Sequence, residues 1–147
     1  LRSSVDREAV REGLADGTLD VFVTDHAPHH YDEKEQAFAD APNGIIGLET
    51  ALGLALTHLV AERVIDLPTL IQRMSVGPAE AFGLSGGTLA PGSPGDVTII
   101  DPEEAWTVDR EGFLSKSRNM PFHGWDLKGR ARYTIVGGVV VWEADRG

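Results

Sequence analysis

One carboxylate and three imidazoles stand within six consecutive residues, Asp25-His26-Ala27-Pro28-His29-His30. Carboxylate oxygen and imidazole nitrogen are ligands for divalent metals, and both groups carry protons in general acid-base catalysis. The chain has no cysteine, which excludes disulfides, thiolate metal sites and a cysteine nucleophile. Any metal must then be held by Asp, Glu or His. Neighbouring side chains diverge, so His26, directly after Asp25, is expected to turn away and serve as a supporting hydrogen-bond partner rather than as a ligand. His58, on a helix edge, and His123, in a turn, are read as ordinary structural histidines.

The elements that must position this cluster follow from patterning. Val21, Phe22 and Val23 form an apolar, β-branched and aromatic run that predicts a short buried strand over Leu19–Thr24, ending at Asp25. A buried strand that passes at once into a loop of metal-binding side chains is the arrangement at the C-terminal mouth of parallel α/β barrels. Upstream, Ser3, Ser4 and the acidic Asp6 and Glu8 open an amphipathic pattern that predicts a helix over Val5–Ala15, closed by Asp16-Gly17. The opening unit is therefore helix, turn, strand and loop, half of a βαβ repeat without its first strand. From Asp25 to Gly47 the chain is polar and lacks periodicity, which predicts a functional lid. Within it, Asn43-Gly44 predicts a tight turn whose backbone N–H groups face a ligand.

Leu48, Ala51, Leu52, Ala55, Leu56, Leu59 and Val60 form the strongest helical stripe and predict a helix over Gly47–Val64, with Glu49 favouring its dipole at the N-terminus. Asp66 is expected to cap a second helix over Leu67–Met74, and a third is expected over Pro78–Phe82. The glycine- and proline-rich stretch Ser85–Gly95 then marks a boundary between residues 1–84 and 85–147. Beyond it, strand-like runs at Asp96–Ile100, Trp106–Val108, Arg132–Val136 and Val139–Trp142 predict a small β-sandwich unit, with Gly137-Gly138 turning a hairpin.

With 147 residues, 41% of them hydrophobic, the chain has enough material for a core. Its 13 basic residues among 23 acidic ones, a net charge of -10, argue against non-specific nucleic-acid binding and against an anionic membrane surface. No apolar run approaches the ~18 residues of a membrane span, and the first residues lack the apolar core of a signal peptide, so a cytoplasmic protein is expected.

Three motifs carry a family resemblance. Thr24-Asp-His-Ala-Pro-His29, Ala41-Pro-Asn-Gly-Ile-Ile-Gly-Leu-Glu-Thr50 and Ser115-Lys-Ser-Arg-Asn-Met-Pro-Phe122 together resemble the C-terminal third of the bacterial-type dihydroorotases of the amidohydrolase superfamily. The less specific Gly86-Gly-Thr-Leu-Ala-Pro-Gly92 and Gly95–Asp101 stretches are similar across the superfamily. The resemblance implies an α/β fold, the C-terminal fragment of a (β/α)8 TIM barrel followed by the β-sandwich segment. A whole barrel needs about 250 residues. It implies a small-molecule substrate, with reversible hydrolysis of the cyclic amide of dihydroorotate to N-carbamoyl-aspartate, and one or two zinc ions whose other ligands lie upstream of this chain. Leu1-Arg2 resembles the residues just after an Asn-Pro-Pro substrate contact, so the N-terminal barrel portion is expected to be missing and the fragment alone to be inactive.

Residue by residue, the resemblance implies that Asp25 contacts the metal and carries a proton to the leaving nitrogen. It implies that His29 contacts the substrate carboxylate and that the backbone at Asn43 and Gly44 contacts the substrate. His30 falls at a variable position and is expected to be solvated, and Ser115-Lys116 and Pro121-Phe122 are expected to pack the β unit on the barrel. A homodimer or a complex with aspartate transcarbamoylase is left open as the partner. The rival readings are an inactive dihydroorotase-like partner of that transcarbamoylase, and a related hydantoinase or allantoinase, which the Thr-Asp-His-Ala-Pro-His wording disfavours.

Overall fold

Ser3 begins the fold by a reciprocal cap: its hydroxyl accepts from the Asp6 N–H at 3.2 Å while the Asp6 carboxylate accepts from the Ser3 N–H at 3.0 Å. Helix α1 (Ser4–Asp16) follows, as the sequence predicts, and buries Leu14. A computed structural model describes residues 3–144, so Leu1 and Arg2 lie outside the described residues. The remaining elements are α2 (Tyr31–Lys34), α3 (Ala51–Ala55), α4 (Leu67–Ile71), α5 (Gly77–Phe82) and the strands β1 (Val97–Thr107), β2 (Asp126–Val136) and β3 (Val139–Glu143).

The expected strand over Leu19–Thr24 is not a strand here. The segment has no ladder, because none of the described residues lies alongside it as a parallel neighbour; its backbone ties run from the Leu19 N–H to the Gly13 carbonyl at 2.8 Å and from the Phe22 N–H to the Arg73 carbonyl at 3.0 Å. The helix expected from Gly47 starts later, at Ala51, and passes into a π-helical turn over Leu56–Val60. The two helices expected over residues 67–82 are instead continuous, α4 joining α5 through a second π-helical turn, Gln72–Val76, so Gly77 and Pro78 do not break the run. Asp66 does cap α4, its carboxylate accepting from the Thr69 N–H at 2.9 Å. No helix among the described residues is long and apolar enough to cross a membrane.

In the C-terminal part, the two runs expected at 96–100 and 106–108 are one long strand, β1, with register shifts at Ile99/Ile100 and between Asp101 and Ala105 that absorb the polar Pro-Glu-Glu insertion. β1, β2 and β3 form an antiparallel sheet in that order, and Val136 pairs with Val139 across the Gly137-Gly138 turn, whose φ values of 58° and 79° match the hairpin predicted there.

α3 joins the helical and β parts. On one side Ala55 and Leu56 pack with Leu14, Ile65 and Leu70; on the other, Leu54 leans on a cluster of Ile46, Val108, Met120 and Leu127. Burying a leucine such as Leu70 or Leu127 fully contributes about 1.5–3 kcal/mol. The contact is close because Gly129 has no side chain: a Cβ there would lie 2.1 Å from Leu56 Cδ1. Thr57 adds a polar tie, its hydroxyl accepting from the Lys128 N–H at 2.8 Å.

Candidate functional site

The loop after Thr24 is shaped by Asn119, which lies about ninety residues downstream. Its amide Nδ2 donates to the Ala27 carbonyl at 2.9 Å and to the Gly44 carbonyl at 3.2 Å, its carbonyl oxygen Oδ1 accepts from the His29 N–H at 3.5 Å, and its backbone carbonyl accepts from the Ile46 N–H at 3.1 Å. One side chain therefore closes both arms of the loop. The Ser117 hydroxyl adds a bond to the His29 carbonyl at 2.8 Å, and Ala27 N–H reaches the Ile45 carbonyl at 2.9 Å. The segment expected to form a lid, residues 25–47, is tied at its base by these bonds, and Lys34 Nζ draws its far side in by donating to the Pro42 and Gly44 carbonyls at 2.7 and 3.2 Å.

Asp25 sits at the loop's start with φ of 45°, a left-handed conformation that costs a residue with a side chain energy but that Asp tolerates better than most. The residue is exposed, and its carboxylate takes no hydrogen bond or ion pair from the described residues. Such a carboxylate fits one oxygen ligand of a divalent cation. It fits only one: among the described residues no three His, Asp or Glu side chains come together as a metal group, so the four-residue cluster does not form a centre by itself.

His29 is mostly buried, its side chain 24% exposed. Its Nε2 lies 3.0 Å from the Asn43 carbonyl and its Nδ1 3.4 Å from a Glu33 oxygen. Both partners are acceptors, so the ring donates to both only when both nitrogens carry protons. Gly44 is required where it stands: its φ is 116°, and a Cβ there would lie 2.6 Å from that of Ala27. The Asn43 and Gly44 carbonyls are thus spent on His29, Lys34 and Asn119, while their N–H groups make no bond to the described residues.

His26 takes the supporting role expected of it, its Nδ1 accepting from the Gly47 N–H at 3.2 Å and Leu48 N–H at 3.4 Å. His30 is exposed but does more than face solvent, capping α2 through the Asp32 N–H at 3.3 Å. Glu49 does not act at its helix terminus: its carboxylate accepts from the Leu114 and Ser115 N–H groups at 2.9 and 3.0 Å and fastens the 110s loop to the turn before α3. Asn119 is the residue that sequence reasoning missed. An asparagine in an aperiodic stretch gives no signal of four long-range bonds.

The site can be set beside known proteins. The amidohydrolase family model matches residues 1–141. The chain belongs to the amidohydrolase family. A protein named dihydroorotase from Geobacter metallireducens is 54% identical over 143 residues, which is 97% of this chain and 34% of that protein. Another dihydroorotase, from Syntrophotalea carbinolica, is 58% identical over 142 residues, 97% of this chain and 33% of that one. Among solved structures, an L-hydantoinase (dihydropyrimidinase) from Arthrobacter aurescens superposes with a TM-score of 0.89 at 35% identity over 96% of this chain and 32% of its own. A D-hydantoinase (dihydropyrimidinase) from Thermus sp. does so at 0.88 and 29% identity, over 97% of this chain and 32% of its own. The chain spans about a third of the length of the relatives it matches.

Proposed function

We propose that the protein containing this chain is a dihydroorotase, which reversibly hydrolyses the cyclic amide of dihydroorotate to N-carbamoyl-aspartate in the cytoplasm. In this reading residues 1–84 are the last part of a (β/α)8 barrel, and residues 85–147 belong to a β-sandwich unit that leans on it. The observation that carries it is the 54% identity to curated dihydroorotases across nearly the whole chain, against 35% to a hydantoinase of almost the same backbone.

The residues divide the work. Asp25 presents a carboxylate without a protein partner, suited to hold a zinc ion with one oxygen and to accept and return a proton with the other. When bound, zinc supplies the Lewis acidity that polarises the amide carbonyl. His29, oriented by Asn43 and Glu33, offers an N–H to the substrate carboxylate in place of the longer Glu33 contact. The unbonded N–H groups of Asn43 and Gly44 are donors for substrate oxygens. The remaining metal ligands, and the surface that completes the pocket, come from the barrel portion outside this chain.

Hydantoinase activity is the second reading, favoured by the structural likeness at a TM-score of 0.89. Assay of the whole protein separates the two. Cyclisation of N-carbamoyl-L-aspartate and hydrolysis of dihydroorotate are expected to exceed hydrolysis of hydantoin and dihydrouracil by more than about 100-fold in kcat/KM, because a site built for a carboxylate leaves donors unpaired with rings that lack it. Preference for hydantoin or dihydrouracil would refute the dihydroorotase reading.

A further inference from the structure

Against a chain of net charge -10, one groove of about 800 Å³ collects Lys34, Arg110, Lys116 and Arg118 beside His29 and Asn119. One carboxylate lines it, Glu35, and the Tyr31 hydroxyl engages that group. Ile45, Met120 and Pro121 add apolar surface to its lining.

The four cations are not equivalent. Arg110 and Arg118 share Glu111, at 3.1 and 3.3 Å, and Arg118 also donates to the Ser115 and Ser117 carbonyls. Lys34 is committed to two loop carbonyls but has no carboxylate partner. Lys116 is exposed and makes no hydrogen bond or ion pair with the described residues. It also sits next to Ser117, whose hydroxyl holds the His29 carbonyl at 2.8 Å, so its backbone is one residue from the clamp on His29.

We propose that this groove is a docking site for small carboxylates adjoining His29, with Lys116 as the cation that selects the dianionic ring-opened product over the singly charged ring. The inference rests on the dihydroorotase reading for the identity of the carboxylate, and on the groove alone for its charge and shape. A partly buried concavity with unneutralised cations raises the local concentration of anions. The attraction grows with ligand charge: N-carbamoyl-aspartate carries two carboxylates, dihydroorotate one and dihydrouracil none. Lys116 acts as a positioning residue, since nothing places it on the reacting atoms.

The test is an amide-resolved NMR titration of the whole protein, carrying Asp25→Ala so that the ligands are not interconverted, with N-carbamoyl-L-aspartate, dihydroorotate and dihydrouracil in parallel. Saturable shifts in residues 28–34 and 116–121 are expected with the dianion, weaker ones with dihydroorotate and none with dihydrouracil. Lys116→Gln is expected to weaken the dianion roughly fivefold, the worth of one charge pair about 4 Å apart in water. Raising the salt about tenfold should weaken it further, and Lys128→Gln, an exposed lysine outside the groove, should leave it unchanged. Absence of saturable shifts in those residues, equal affinity for dihydrouracil, or undiminished affinity in Lys116→Gln would each overturn the proposal. Turnover of the whole protein tests the dihydroorotase reading separately. Failure there with dianion binding intact removes only the name of the carboxylate, whereas turnover without groove binding removes the groove.

Discussion

Asn119→Ala is the most informative perturbation of the fold around the site. It deletes two donor contacts, at 2.9 and 3.2 Å to the Ala27 and Gly44 carbonyls, and one acceptor contact at 3.5 Å from the His29 N–H, while the backbone bond between Asn119 and Ile46 remains. A typical intramolecular hydrogen bond contributes about 1 kcal/mol net, and leaving a half-buried partner unpaired costs more than the mean. The 3.5 Å contact is at the limit of hydrogen bonding and counts for little. The two shorter bonds together give about 2–3 kcal/mol. In a chain of this size each kcal/mol moves the unfolding midpoint by roughly 2–4 °C, so thermal unfolding followed by circular dichroism should show a loss of roughly 5–10 °C. Amide hydrogen exchange should show Ala27 losing protection while Leu14 and Leu70, in the other core, keep theirs. Asn119→Asp should be worse than Asn119→Ala, because it keeps the weak acceptor and turns a charge toward two carbonyls. A change below about 0.5 kcal/mol for Asn119→Ala, the usual effect of a surface substitution, would refute the assignment of Asn119 as the clamp.

Gly129→Ala and Gly138→Ala share a positive φ, 86° and 79°, but only the first puts a Cβ onto Leu56, so Gly129→Ala is expected to cost about 1–3 kcal/mol more in denaturant unfolding. Equal effects would mean that Leu56 does not press on β2 as described. Asp66 is held below its ordinary carboxylate range, mainly by its side-chain bond with Thr69, so it stabilises the fold above the usual Asp value of 3.8 and ceases to do so as pH falls through its lower native value. Asp66→Asn, which keeps the cap without titrating, should flatten the decline in melting temperature as the pH falls below the usual Asp value; an unaltered pH profile would contradict the cap's contribution. With no three His, Asp or Glu side chains brought together as a metal group among the described residues, the 147-residue chain should retain no stoichiometric zinc after dialysis and show no dihydroorotase turnover. Tight zinc binding by the chain alone would show that a centre forms without the barrel.

What the sequence revealed follows physical range. α1, the Asp66 cap and the Gly137-Gly138 hairpin were legible because each is decided by residues within a few positions of one another. The strand expected at Leu19–Thr24 has the right composition but no ladder, since a parallel strand depends on neighbours that composition cannot supply. The long helix after Gly47 was visible as an apolar stripe, whereas its π-helical turn was not, because a one-residue change in hydrogen-bond spacing leaves the stripe almost intact. In the site, Asp25 and His29 stood out by residue type. Asn119, Ser117 and the long-range work of Glu49 depend on contacts across 65 to 92 positions, which a single sequence does not record.

The account rests on Asp25 offering its carboxylate to a metal and a proton outside this chain, from a loop held by other residues. The direct measurement is turnover and zinc content of the whole protein carrying Asp25→Ala, alongside its circular dichroism. Loss of nearly all dihydroorotate turnover with the folded spectrum retained is the predicted result. Turnover at the level of the unsubstituted protein would contradict the account.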